Sequence, residues 1–277
     1  MKRVRKAVLA LAAVAALAAG LVTGSQAGPD QHGATVVGFT VHSRLVGRDL
    51  RERAVIPAGV GAGERRPLLV WLHGRGGHPG DIFWDSFYGE LQRLGPRAPL
   101  VVEVDGGDHS YYHDRRSGRW GSYVMREAIP AAVRRLHADP NRIAIGGISM
   151  GGFAALDLAR LNPGRFCAAG GHSPAIWLRA GDTAPGAFDD AADFARHDLY
   201  RYARTAAHPF GGLPLWIDRG NRDPFVPGDA ALAGVLKQRG ANLVSRIWPG
   251  AHEGAYWHAH IARYLRFYAG ALARCRG

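Results

Sequence analysis

The chain has 277 residues, with 35 Lys and Arg against 23 Asp and Glu, a formal net charge of +12, and 47% apolar residues. That apolar share excludes an intrinsically disordered chain, and the length suits one sizeable α/β domain behind a short leader. Lysine occurs only at Lys2, Lys6 and Lys237, and the arginines are dispersed rather than gathered into blocks, so no nucleic-acid partner is expected.

Lys2, Arg3, Arg5 and Lys6 precede an apolar run from Ala7 to Val22, and Ser25-Gln26-Ala27 offers small residues at a cleavage site. Residues 1–27 therefore read as a secretory signal peptide cleaved after Ala27, with residues 28–277 as a single domain of a secreted protein. The apolar run is shorter than the roughly 20 residues a membrane span requires. The four leader cations carry a third of the charge excess, so the mature chain stays basic and loose association with an anionic cell envelope is expected. Cys167 and Cys275 either bridge or remain buried thiols, and their spacing does not decide between the two. Oligomeric state is equally open.

Thr35–His42 and Arg51–Ile56 are short extended runs that read as an antiparallel opening pair. Leu68–Leu72 is continuously apolar, as in a strand buried on both faces, and it opens into His73-Gly74-Arg75-Gly76-Gly77. Phe83, Phe87, Leu91 and Leu94 recur at helical spacing, which predicts a helix over Asp81–Leu94. Leu100–Val104 is the next buried strand. The loop beyond it, Asp105 to Asp114, carries Tyr111 and Tyr112 at the carboxyl end of a parallel strand, where ligands bind in open α/β sheets. Trp120–His137 reads as a helix in which Pro130 marks a kink or a broken start.

Ile143–Ile148 is a strand that breaks into Ser149 and a helix through Leu161, and Phe166–Gly170 is the strand after it. Residues 171–212 lose regular patterning and read as an excursion over the strand ends, with one helix through Asp190–Ala203 and with Trp177 and Phe188 available to line a pocket. Leu213–Asp218 and Ala241–Trp248 are strands around a helix at Asp229–Arg239, and an amphipathic helix from Tyr256 to Ala273 closes the chain. Strands alternating with helices predict an α/β fold with a mostly parallel sheet covered on both faces.

Gly147-Ile148-Ser149-Met150-Gly151 matches the G-x-S-x-G nucleophile elbow, a tight strand-to-helix turn that pushes a serine hydroxyl toward substrate. A serine hydroxyl attacks only when a base takes its proton and an acid holds that base in the right tautomer. In the order serine, acid, histidine, the candidates are Ser149, Asp223 in the turn after a strand, and His252 in the glycine-bearing loop after the last strand. Asp218 lies within its strand and reads as structural, while Asp189 and Asp190 fall in the excursion. The glycines after His73 let backbone N–H groups approach an oxyanion, which nominates the N–H of Arg75 and of Met150. No metal is expected, since His258 and His260 are spaced so that they face different sides of a helix.

Leu72 to Gly77, Trp120 with Tyr123 and Glu127, Gly147 to Gly152, Gly220-Asn221-Arg222-Asp223, and Gly250-Ala251-His252 with Trp257 together resemble the esterase group of the α/β-hydrolase superfamily. That group contains esterase D, feruloyl esterases and cell-envelope mycolyltransferases. The resemblance implies an eight-stranded α/β-hydrolase sheet and a serine acyl-enzyme mechanism without a cofactor. It also implies Ser149 as nucleophile, Asp223 as acid, His252 as base, and Arg75 and Met150 as oxyanion donors. Relatives often carry an apolar residue where Arg75 stands; its guanidinium either favours an anionic or sugar-bearing substrate or points to solvent.

The expected activity is hydrolysis of a small-acyl, aromatic-acyl or carbohydrate ester. Transfer of the acyl group to a sugar, with Tyr111, Tyr112, Trp120 and Trp177 as a carbohydrate platform, is the alternative. A catalytically silent binding protein is the third reading.

Overall fold

The computed structural model describes residues 28–61 and 63–275. The expected signal peptide, residues 1–27, lies outside the described residues. The chain opens with the hairpin β1 (Thr35–Ser43) and β2 (Arg48–Ile56), followed by β3 (Leu68–Leu72), α1 (Asp85–Leu94) and β4 (Leu100–Val104). A two-stranded ribbon, β5 (Asp114–Arg115) and β6 (Gly118–Arg119), leads into α2 (Trp120–Tyr123), a π-helical turn at Val124–Ala128, and α3 (Ile129–Leu136). Then come β7 (Ile143–Ile148), α4 (Met150–Leu161), β8 (Ala168–His172), α5 (Ala191–His197), α6 (Leu199–Thr205), β9 (Leu215–Gly220), α7 (Val226–Gln238), β10 (Leu243–Trp248) and α8 (Gly254–Arg274).

Eight strands form one sheet in the order β1-β2-β4-β3-β7-β8-β9-β10, in which β2 pairs antiparallel with both its neighbours and the pairs from β4 to β10 are parallel. With helices on both faces, this is the α/β-hydrolase architecture expected from the motifs. The period of two along β3 shows how the two faces are filled. Leu68, Val70 and Leu72 pack toward the core shared with α2, α3, α4 and α7, whereas Leu69 and Trp71 pack toward α1 and α8.

Three expectations shift on inspection. The first helix starts at Asp85 rather than Asp81, because residues 74–84 are drawn into the loop beside Ser149. Trp120–His137 is not one regular α-helix, since a π-helical turn at Val124–Ala128 joins α2 to α3 and Pro130 follows directly after it. The single helix expected across Asp190–Ala203 is two, with Asp198 extended between them and capping α6 through the N–H of Arg201.

One polar network braces the sheet from within. Asp218, fully buried on β9, accepts hydrogen bonds from Trp216 Nε1, Tyr256 OH, Tyr264 OH and His172 Nδ1, and His172 Nε2 accepts from Tyr268 OH. Tyr268 in turn fits only because Gly146 and Gly170 leave room, as a Cβ on either would come within 2.1 Å of its hydroxyl. Covalently, Cys167 and Cys275 form a disulfide with Cα atoms 5.6 Å apart, tying the end of α8 to the start of β8. Among the described residues no helix is long and apolar enough to cross a membrane.

Candidate active site

Ser149 sits at the turn between β7 and α4 with φ 54° and ψ −113°, a conformation side-chain-bearing residues rarely adopt. The chain tolerates it because the turn is clamped: Ser149 N–H donates to His172 O at 3.0 Å, and Ser149 O accepts from Ala175 N at 3.0 Å. Glycines permit the approach of α4 to β3. A Cβ on Gly151 would lie 2.0 Å from Leu72 O, and one on Gly147 would lie 2.5 Å from the same oxygen.

The sheet brings the three candidates together. Ser149 Oγ–H donates to His252 Nε2 at 2.8 Å, and His252 Nδ1–H donates to Asp223 Oδ2 at 2.9 Å. Asp223 stands in the turn after β9, and its Oδ1 accepts from the N–H of Phe225 at 2.8 Å. Burial pushes the Asp223 carboxyl up, but hydrogen bonds from His252 and Phe225 and the charge of His252 outweigh it and hold the group below the usual carboxylate range. The imidazole ring is gripped edge-on by Trp257 and Phe225, each with its centroid 5.1 Å away.

The loop after β3 lies against the serine, with a Cβ built on Gly74 falling 3.6 Å from Ser149 Cβ. His73, which the sequence marked only as the start of this loop, holds its shape: Nδ1–H donates to Gly74 O at 2.8 Å and Nε2 accepts from Gly106 N at 3.0 Å. Acceptance at Nε2 requires the neutral ring, and burial lowers the His73 pKa to suit. Gly76 N–H donates to Asp108 O and Gly77 N–H to Gly74 O, while the N–H of Arg75 has no backbone acceptor among the described residues. Met150 opens α4, so its N–H belongs to the unsatisfied first turn of a helix, which favours a developing anion. An activated serine beside two uncommitted N–H groups is the chemistry of acyl transfer.

A family model described as "Putative esterase" matches residues 43–268. The chain belongs to this esterase family. Esterase MT1326 of Mycobacterium tuberculosis is 30% identical over 125 residues, which covers 43% of this chain and 27% of the relative, so the chain spans about a quarter of that relative's length. Among solved structures, a ferulic acid esterase superposes with a TM-score of 0.77 at 18% identity, covering 86% of this chain and 99% of that one. An S-formylglutathione hydrolase from Agrobacterium tumefaciens gives 0.72 at 19% identity over 87% and 96% of the two chains. MPT51 of M. tuberculosis gives 0.68 at 16% identity over 86% and 99%. At such identities the likeness establishes the α/β-hydrolase fold.

Ser149 and His252 open into a pocket of about 340 Å³ walled by Gly74–Gly77, Asp81, Ile82, Trp84, Ile148 and Trp257. A larger cavity of about 600 Å³ lies at the opposite ends of the strands beside the disulfide and contains none of the relay residues. The four aromatic residues expected to bind substrate do not wall the 340 Å³ pocket. Tyr112 is 1% exposed, with its hydroxyl donating to Val104 O, and Trp120 is 5% exposed beneath the Arg48 guanidinium. Both are core residues, because the loop after β4 folds inward and fills the space that a glycine leaves at Gly106 and Gly107. Tyr111, 3% exposed, packs with Trp177 and Phe188 as the seat of the excursion, and Trp177 faces a separate groove with Phe225 and Pro227.

The pocket wall instead uses Trp84 and Trp257. Trp257 was visible in the motif with His252, whereas Trp84 sits just before α1 in a stretch read as helix, so no pattern pointed to it. Arg75 is exposed at the pocket rim.

Proposed function

We propose that this protein is an exported serine esterase that cleaves carboxylic esters through an acyl-enzyme, with Ser149, His252 and Asp223 as its relay. The observation that carries the reading is His252, hydrogen-bonded at once to Ser149 Oγ at 2.8 Å and to Asp223 Oδ2 at 2.9 Å. Ser149 Oγ attacks the acyl carbon while His252 Nε2 takes its proton, and the resulting imidazolium is stabilised by the Asp223 carboxylate. The carbonyl oxygen, now an oxyanion, rests on the N–H groups of Arg75 and Met150. Collapse of this intermediate expels the alcohol, which leaves with the proton from His252. Water then attacks the acyl-serine by the same route, releasing the acid and restoring Ser149.

Pocket size supports a small or single-ring acyl or alcohol group, since about 340 Å³ is near the lower end for ligand sites. Flat indole walls at Trp84 and Trp257 favour an aromatic or sugar ring. The disulfide supports an oxidising compartment and hence export, in line with the leader-like residues 1–27. Dispersed arginines would give the exported chain a loose electrostatic attraction to an anionic envelope.

The test is turnover by residues 28–277 of an ester panel running from acetyl through long-chain to cinnamoyl-type acyl groups, with Ser149→Ala alongside. Wild-type turnover at least about a thousandfold above Ser149→Ala is expected. Equal turnover by the two proteins would remove the assignment.

A further inference from the structure

A second polar cluster lies where the excursion rests on the body of the enzyme. Asp193 and His197 are one turn apart on α5, His113 comes from the loop after β4, and Asp157 comes from α4. Asp157 Oδ2 accepts from His197 Nδ1–H at 2.7 Å, and its other oxygen is held by Arg160. With Nδ1 as the donor, the neutral His197 ring carries a lone pair on Nε2. That lone pair faces Asp193 Oδ1 at 3.8 Å, too far for a hydrogen bond and repulsive without a cation between them. On the other side, His113 Nε2 lies 3.0 Å from Asp193 Oδ2, and the two imidazole centroids are 4.5 Å apart.

We propose that His113 Nε2, His197 Nε2 and the Asp193 carboxylate form a binding site for a zinc-class divalent cation that fastens the excursion to the enzyme body. Each of the three residues offers one ligand atom within 4.8 Å of the others. A tetrahedral zinc with nitrogen and oxygen ligands at about 2.0–2.2 Å needs ligand atoms roughly 3.3 Å apart, which lies between the two separations seen here. Two imidazoles with one carboxylate suit zinc over calcium or magnesium, which prefer oxygen alone. Asp157 supplies the outer carboxylate that orients a metal-bound histidine.

The rest of the surroundings fit. His113 Nδ1 is buried and has no partner among the described residues that would fix the tautomer, so Nε2 is free to ligate. A cavity of about 350 Å³ walled by Gly121, Met125 and Leu161 reaches His113 and His197, giving an entry path and room for a water as fourth ligand. Asp193 is also held by Arg196, whose exposed side chain can swing into solvent as the cation arrives. None of the three ligands walls the Ser149 pocket, so the role is structural.

The competing occupant of the gap at His197 is a proton. To distinguish them, tag-free residues 28–277 are stripped with a chelator and titrated with Zn²⁺, Co²⁺ and Ca²⁺. The expected results are one zinc per chain, the intense visible absorption of tetrahedral cobalt, its loss on adding zinc, and no response to calcium. His197→Gln and Asp193→Asn should each weaken zinc at least about tenfold, while exposed His42→Gln should leave it unchanged. Zinc-edge anomalous diffraction of soaked wild-type crystals should place the ion among the three residues, a result that needs no variant to fold. No uptake at micromolar zinc, full affinity in both variants, or an ion found only elsewhere would overturn the site.

Discussion

His252 is held at both nitrogens and on two edges, so its rotamer is set before any ester arrives. Replacing Asp223 with Asn leaves the shape but offers an N–H where an acceptor is needed, favouring the tautomer that cannot take a proton from Ser149. Asp223→Asn is expected to lower kcat by about four orders of magnitude with Tm little changed, as read by steady-state kinetics and thermal melting. The relay was legible because each member sits at a strand end, and strand ends are set by apolar runs. Tyr112 and Trp120 were misread as substrate contacts because the direction of a loop aromatic depends on how the loop folds, which no local pattern records. The cluster of His113, Asp193 and His197 was silent for a similar reason, since His113 and Asp193 stand 80 residues apart.

Among the elements, α4 and the loops on either side of β7 carry the tightest constraint. Its first turn is pressed against the end of β3, and the atoms that would meet a Cβ at Gly151 are the backbone oxygens of Leu72 and His73, at 2.0 and 2.7 Å. Backbone cannot rotate aside as a side chain can. Gly151→Ala should therefore cost about 3 kcal/mol or more, seen as a fall in the denaturation midpoint, and should reduce turnover as the elbow is displaced. Element boundaries in the sheet were legible to within a residue or two for β3, β4 and β7, whose runs carry no polar residue except Glu103 in β4. They drifted in the excursion, where Asp198 splits one amphipathic stretch into two short helices by capping the second.

At the scale of the whole molecule, stability should depend on pH through two buried glutamates. Burial raises Glu52, which accepts from Tyr123 OH and Asp105 N, to about 8, and it raises Glu103, which accepts from Gly80 N at 2.6 Å, to about 8 as well. An unfolded glutamate titrates at roughly 4.3. Between that value and about 8 the folded chain keeps two protons that the unfolded chain releases, so stability falls as pH rises across the window. Tm is expected to drop by roughly 5 °C or more between about pH 5.5 and about pH 8, with a shallower fall in Glu103→Gln. A flat profile in the wild type would show that these carboxyls ionise in the fold.

Reduction of the disulfide should lower stability by about 2–5 kcal/mol, measurable by melting with and without a thiol. The sequence left bridge and free thiols open because a separation of 108 residues carries no information about two Cα atoms 5.6 Å apart.

That bridge also encloses the excursion, Asp223 and His252 within a single covalent ring, leaving Ser149 outside it. A protease that cuts an exposed peptide bond between β8 and β9 therefore opens the ring without freeing a piece. The protein would then survive as two polypeptides, one bearing Ser149 and the other Asp223 and His252, running as one band until a thiol separates them.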